Sequence, residues 1–325
     1  MQYIQLQHSP GRQRYTCIRV GLSRRTFLSN ALAGAAGLSV LRGDPAPGPI
    51  APTPLADNLF LLTGAGANVV ARTGSDGVLL VDGGLAERAA NLAQAVAALP
   101  GAKPVHTLFN THWHPEQTGS NLPLGRAGAT IIAHENTRLW LTTDITRPWE
   151  NRTFHPLPKE ALPNKTFFGS EPKGNSLTLD GERIDYGYLL QAHTDGDIYV
   201  FFPKANVLVI GDVIAQKSWP FIDWWTGGWI FGVVSGLDTV LKVANDQTRI
   251  VAGQGGVMTR ADLEAQRKMF GNIAQRLRAL MFGGRNVDDA FAAQPTKEYN
   301  DRMGDPKDFI RLAFDSMWGH FTPDA

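Results

Sequence analysis

The chain has 325 residues, 43% of them hydrophobic, and a formal net charge of +1. That length fits one folded domain of about 270 residues with appendages, and a near-neutral chain with no basic stripe among its aromatics argues against a nucleic-acid partner. A single cysteine, Cys17, can build neither a disulfide framework nor a thiolate metal site.

In chain order, residues 1–42 read as a twin-arginine export signal. Ser23-Arg24-Arg25-Thr26-Phe27-Leu28 supplies the arginine pair, and Ala31 to Leu41 is a mildly apolar run behind it. The run is too short to cross a bilayer as an ordinary helix, so the mature protein is expected in the periplasm without stable membrane insertion. No clean small-x-small cleavage triplet follows Leu41. Cys17 lies inside this leader, and its removal would leave a thiol-free protein, as suits an oxidising compartment. A Pro/Gly-rich linker, residues 43–54, leads to the domain proper, 55–325.

Short strands are predicted at Leu59–Leu62, Ala67–Arg72 and Val78–Val81, parted by glycine-rich turns. Leu85–Leu99 reads as an alanine-rich surface helix with Leu92, Val96 and Leu99 at helical spacing. The apolar run Val105–Phe109 reads as a buried strand leading into Asn110-Thr111-His112-Trp113-His114-Pro115-Glu116-Gln117-Thr118-Gly119. Ala129–Ala133 is another strand, His134 packs or caps at the start of a helix (Glu135–Leu141), and Pro148–Pro163 reads as a loop insertion carrying His155. Asp180-Gly181 forms a hairpin turn. Strand-like runs at Tyr188–Gln191 and Val207–Ile210 end near His193 and Asp212, and Ile198–Phe202 is a strand between them. The chain is expected to be helical from Leu237 to Asn245, to return as strand Ile250–Ala252, and then to stay mostly helical.

His112 and His114, at i and i+2 beyond an apolar strand, can project to one side and reach one cation. Imidazole pairs suit zinc or iron better than magnesium or calcium. Taken alone, the pair is equally two partly buried histidines beside a turn. His193 and Asp212, each at the end of a further apolar run, can join them at one edge of a sheet.

Five elements in this order resemble the metallo-β-lactamase-fold metallo-hydrolases from about Pro54 to Arg267: Leu79-Leu80-Val81-Asp82-Gly83-Gly84, His112-x-His114-x-Glu116-Gln117, His193, Asp212 and Gly253-Gln254-Gly255. Aspartate at 212, where the true lactamases more often carry cysteine or serine, points to the glyoxalase II-like branch and away from β-lactam hydrolysis. The resemblance implies an α+β fold, the αβ/βα four-layer sandwich, with its site along one edge. It further implies that His112, His114 and His193 hold a first metal, that Asp212 bridges two metals, and that Asp82 takes hydrogen bonds from the ligand loop. The second metal is normally held by an aspartate and two histidines, and here those positions are Glu116, Gln117 and Gln254. Glutamine amides are poor zinc ligands, so one metal per chain is expected.

The implied function is an exported hydrolase in which one zinc and its water cleave an ester, lactone, amide or thioester of a small molecule. Asp212 would complete the coordination or orient the water, and Glu116 becomes the candidate general base. Gln117 and Gln254 would be neutral hydrogen-bond partners for substrate or water. Four tryptophans fall between Trp219 and Trp229; Trp224 and Trp225 among them either wall an apolar substrate pocket or plug the core. Two other readings stand beside this one. In the first, His112, His193 and Asp212 hold iron as a mononuclear dioxygenase triad; in the second, the protein binds a ligand without turnover.

Overall fold

The computed structural model describes residues 48–147, 151–169 and 175–321; the expected export signal, Cys17 and residues 43–47 of the expected linker lie outside the described residues. Fourteen strands are present among them: β1 (Ala51–Ala56), β2 (Leu59–Thr63), β3 (Val69–Arg72), β4 (Val78–Val81), β5 (Val105–Phe109), β6 (Thr130–His134), β7 (Ile145–Arg147), β8 (Arg152–Phe154), β9 (Lys165–Phe167), β10 (Asn175–Leu179), β11 (Glu182–Tyr188), β12 (Ile198–Phe202), β13 (Val207–Val209) and β14 (Arg249–Val251). One sheet runs β1-β2-β3-β4-β5-β6-β9, a second runs β10-β11-β12-β13-β14, and β7 and β8 form a separate hairpin.

Strand alternation builds the layers. In β2, Leu59 and Leu61 enter a cluster with Ile184, Val200 and Phe202 of the second sheet, so they face the gap between sheets. Phe60 and Leu62 point the other way, onto Leu92 and Val96 of helix Ala89–Ala97. The second sheet does the same: Ile198, Val200 and Phe202 face inward, while Tyr199, Leu208 and Ile250 pack on helices Ile230–Val243, Arg260–Phe282 and Lys307–Phe321. Strands buried on both faces read as continuous apolar runs, and each fully buried Leu or Phe contributes about 1.5–3 kcal/mol. The result is helix, sheet, sheet, helix, the expected α+β sandwich.

Four sequence expectations are corrected. Residues 51–54 belong to edge strand β1, with Pro52 opposite Leu62 and Pro54 opposite Phe60. Proline donates no ladder hydrogen bond and is tolerated at a sheet edge, so a Pro-rich stretch hid a strand. The loop insertion from Pro148 contains β8, which pairs with β7. The strand expected through Gln191 stops at Tyr188, and Gln191 is left-handed at φ 48°. The helix expected from Leu237 begins at Ile230, its first turns disguised by Gly232 and Gly236.

His134 both packs and caps. Its Nδ1 accepts from the Asn136 N–H at 3.2 Å, its ring stacks on Tyr188 at 3.9 Å, and burial pushes its pKa down to about 4. No helix among the described residues is long and apolar enough to cross a membrane.

Topology then gathers the chemistry at one edge. β4, β5 and β6 run parallel, so Asp82 and the residue 110–114 loop leave from the same end. β13 and β14 are parallel as well, placing Gly211-Asp212 beside Gly253-Gln254. The Ile198 N–H donates to the Thr111 carbonyl at 2.9 Å, joining the histidine loop to the second sheet.

Candidate metal centre

β5 stops at Phe109, so the two motif histidines converge through a loop and not through strand alternation. His114 ends that loop and starts the short helix Pro115–Thr118, whose first turn carries Glu116 and Gln117. His193 lies in the loop after β11, and Asp212 lies just beyond β13. Each of His112, His114, His193 and Asp212 offers a ligand atom within 4.8 Å of the others. His112 Nε2 is 3.7 Å from Asp212 Oδ2, and the three imidazoles meet edge to face with centroids 4.6–4.8 Å apart.

The outward nitrogen of every ring is tied to a protein oxygen. His112 Nδ1 lies 3.1 Å from Thr111 Oγ1, which itself donates to Asp82 Oδ2 at 2.9 Å. With its hydrogen committed to Asp82, the hydroxyl accepts from the ring. His114 Nε2 lies 2.9 Å from Asp223 Oδ2, and His193 Nδ1 lies 3.3 Å from Asp197 Oδ1. Hydrogens placed at these outer nitrogens leave His112 Nε2, His114 Nδ1 and His193 Nε2 as bare acceptors facing inward. The first two are only 3.0 Å apart. Two lone pairs at that distance repel unless a cation or a shared proton answers them, so the donor set fits a bound metal ion.

Charge and burial shape the rest. Burial, then the neighbouring imidazoles and Arg147, lowers the pKa of His112 well below its ordinary value. His114 is also lowered by burial, against the pull of Asp223. At His193 burial is outweighed by Asp197, Asp212 and Asp223, and the pKa rises. Burial raises Asp212, with Glu116 and Asp197 adding to it against His193 and His114. Asp82, at φ 67°, accepts from both the backbone N–H and the hydroxyl of Thr111 at 2.8 and 2.9 Å, the loop-fixing role expected of it. Burial nonetheless holds its pKa well above the ordinary carboxylate value.

Gln117 is fully buried, and its Nε2–H donates to Asp212 Oδ2 at 3.1 Å. Gln254 is exposed at the rim and donates to the Gly66 carbonyl at 3.0 Å. Glu116 is half-buried and lines the same cleft, a cavity of about 370 Å³ that also takes in His114, His193 and Asp212. Arg147, Arg152, Phe154, Trp219 and Phe221 form its walls.

Trp224 and Trp225, for which both a cleft wall and a core plug were open, are not among its lining residues. They sit on the short 3-10 turn Trp224–Thr226 with their rings 5.0 Å apart, and Trp225 is 42% exposed. The wall is made instead by Trp219, stacked on Phe309 at 4.5 Å, and by Phe221. Spacing cannot tell which residue of an aromatic run faces inward when the run is neither helix nor strand. Trp113 packs edge to face between His114, at 4.6 Å, and Phe154, at 5.3 Å, with its Nε1–H on Thr226 Oγ1 at 3.1 Å.

Three residues were missed from sequence. Asp223 is fully buried within the aromatic run, and its Oδ2 receives both His114 and Arg147, the latter at 2.7 Å. Arg147 Nη2 also lies 2.8 Å from His114 Nε2. Both are donors to one oxygen, so this short distance reflects a shared acceptor. Asp197 is the third, and besides His193 it takes the Thr194 N–H at 2.7 Å. A carboxylate inside an aromatic run was the available clue to Asp223, because a buried charge demands a partner.

The sequence model of the metallo-beta-lactamase superfamily matches residues 62–284. A search of curated proteins gives no match. Among solved structures, the stereoselective inverting sec-alkylsulfatase Pisa1 from Pseudomonas sp. superposes with a TM-score of 0.60 at 15% identity over 85% of this chain and 51% of its own, so the chain spans about half that enzyme's length. The DIM-1 metallo-beta-lactamase gives 0.54 at 17% identity, covering 69% of this chain and 98% of that one. A metallo-beta-lactamase from Pontibacter korlensis gives 0.53 at 16%, covering 69% and 99%. With two sheets packed between helices, a four-residue ligand cluster at their common edge and a family match over most of the domain, the chain belongs to the metallo-beta-lactamase superfamily.

Proposed function

We propose that the protein is a mononuclear zinc hydrolase, exported to the periplasm, that cleaves an ester, lactone, amide or thioester of a small molecule. The observation that carries this is the set of three inward-facing imidazole nitrogens beside Asp212, each ring anchored from behind by its own oxygen partner. Bound at these donors, zinc supplies Lewis acidity, polarising a carbonyl and making water nucleophilic at neutral pH. The chain's residues do the rest. Glu116 reaches the cleft without a metal to hold, and its carboxylate accepts the proton that the attacking water gives up. Gln117 fixes Asp212 Oδ2 with a neutral N–H, where the family resemblance places a cation. That substitution, together with Gln254 turned onto Gly66, supports one ion over two. Because His114 stands in the same cluster, a triad of only two histidines and a carboxylate would leave it without a role, which favours zinc over the iron reading.

The test is metal content with turnover. One equivalent of metal is expected per chain, lost in His193→Ala and kept in Gln254→Ala. Glu116→Gln should hold metal within about tenfold while ester turnover falls by about 10²–10⁴. Two tightly held equivalents would overturn the mononuclear reading, and full turnover in Glu116→Gln would remove the base. Export is checked by changing Arg24 and Arg25 together to lysine, which should keep the uncleaved protein in the cytoplasm; its continued arrival in the periplasm would refute the twin-arginine route.

A further inference from the structure

Hairpin β7–β8 sets two arginines directly opposite each other, Arg147 against Arg152. Facing residues in an antiparallel pair share a side of the sheet, and like charges placed there oppose its formation. The charge of Arg147 is answered by Asp223 at 2.7 Å. Arg152 has no ion-pair carboxylate among the described residues. Its guanidinium lies instead 4.3 Å from the centre of the Phe154 ring, two residues on and therefore on the same face. The other face carries Thr146 and Thr153, exposed and 3.1 Å apart at their hydroxyls. The alternation thus puts the second positive charge on the side of the hairpin that lines the cleft with His114, His193 and Asp212. Stacking on an aromatic ring restrains an exposed arginine and leaves its N–H fork free to bind.

Glu116 and Asp212 lie at the ligand end of the cleft, while Arg152 occupies the hairpin wall beside Phe154. A negatively charged group on a small molecule is drawn to the guanidinium, whose paired donors match a planar or tetrahedral oxyanion. Arg152, Phe154 and Pro115 also border a second cavity of about 530 Å³, lined by Trp113, Leu141 and Ile145 among others, which offers apolar surface next to that charge.

We propose that Arg152 is an anion-recognising arm of this cleft and that the protein's ligands carry a carboxylate or sulfate on an apolar body, held against Phe154. The word substrate for such a ligand rests on the hydrolase reading above; the binding itself does not. The test is calorimetric titration of the metal-loaded protein with hexanoate, hexyl sulfate and hexan-1-ol, in the native chain, Arg152→Ala and Arg152→Lys. Coordination of either anion by the metal is common to all three proteins and cancels in the comparison. Arg152→Ala should weaken anion binding by about tenfold, leave hexan-1-ol and metal content unchanged, and be partly rescued in Arg152→Lys. A loss confined to hexanoate assigns a carboxylate, and one confined to hexyl sulfate assigns a sulfate. Unchanged anion affinity in Arg152→Ala, or an equal loss for hexan-1-ol, overturns the proposal. If no ester is turned over yet anion binding depends on Arg152, the hydrolase reading falls and this one stands. Ester turnover with anion binding indifferent to Arg152 is the reverse case.

Discussion

Asp223 is buried, and burial works against its charge, yet His114 and Arg147 hold its carboxyl well below the usual carboxylate range. One oxygen thereby orients the ring of a candidate metal ligand and neutralises a guanidinium that sits among the rings of Trp113, Phe154 and Phe221. Asp223→Ala should lower metal affinity by about 10–100-fold, the usual cost of removing a ligand's outer partner. It should also lower stability by about 3–5 kcal/mol, because a buried cation loses this carboxylate. Competition with a chromophoric chelator and urea unfolding measure the two separately. Asp223→Asn still offers an acceptor to His114 Nε2–H, so it should spare metal affinity more than stability; equal losses in both would show that charge and not ring orientation is what His114 needs. At this scale the four clustered residues were legible, because histidine pairs and strand-end carboxylates are recognisable residue types. Their partners were not. Asp223 is 109 residues from His114 and 76 from Arg147, and only the folded chain brings them together.

Between element and site stands Gly211, two residues beyond β13 and in the left-handed region at φ 56°. A Cβ there would come within 2.6 Å of Thr111 Oγ1 and 3.5 Å of His112 Nδ1. The glycine therefore lets the end of one sheet press against the histidine loop of the other. Gly211→Ala adds left-handed strain and a steric clash, and about 1–3 kcal/mol of stability should be lost. Metal affinity should fall with it, since Thr111 Oγ1 must move off His112; a stable variant with unaltered affinity would show that the Thr111 contact does not position the ring. The elements were readable in proportion to their burial. Apolar runs such as Leu59–Leu62 and Val78–Val81 announced strands covered on both faces. Edge strand β1, with two prolines, and the short hairpin β7–β8 lacked that pattern, because none of these three strands is apolar along its length. The hairpin that carries Arg147 and Arg152 was thus the part of the cleft least visible in advance.

At the scale of the whole domain, the candidate ligand set straddles both sheets. His112 and His114 come from the loop after β5 in the seven-stranded sheet, whereas His193 and Asp212 follow β11 and β13 in the five-stranded one. Protein–protein ties across this edge exist, among them the Asn68 side-chain amide donating to the Ala252 and Gly255 carbonyls at 2.8 and 2.9 Å. A metal ion held by residues of both sheets would add a further cross-link, and one that the unfolded chain cannot match. Binding to the native state alone stabilises by RT ln(1 + [L]/Kd), about 4 kcal/mol when free metal stands a thousandfold above Kd. For a domain of this size that corresponds to a shift in unfolding temperature of about 10 °C. Chelation should therefore lower the thermal midpoint of the native protein by about that amount. His193→Ala, which breaks the set on the second-sheet side, should lose the response to chelator altogether. Metal that can be stripped from the native protein with no change in midpoint would mean that the two sheets are held by their packed core alone, and that the ion serves chemistry without joining them.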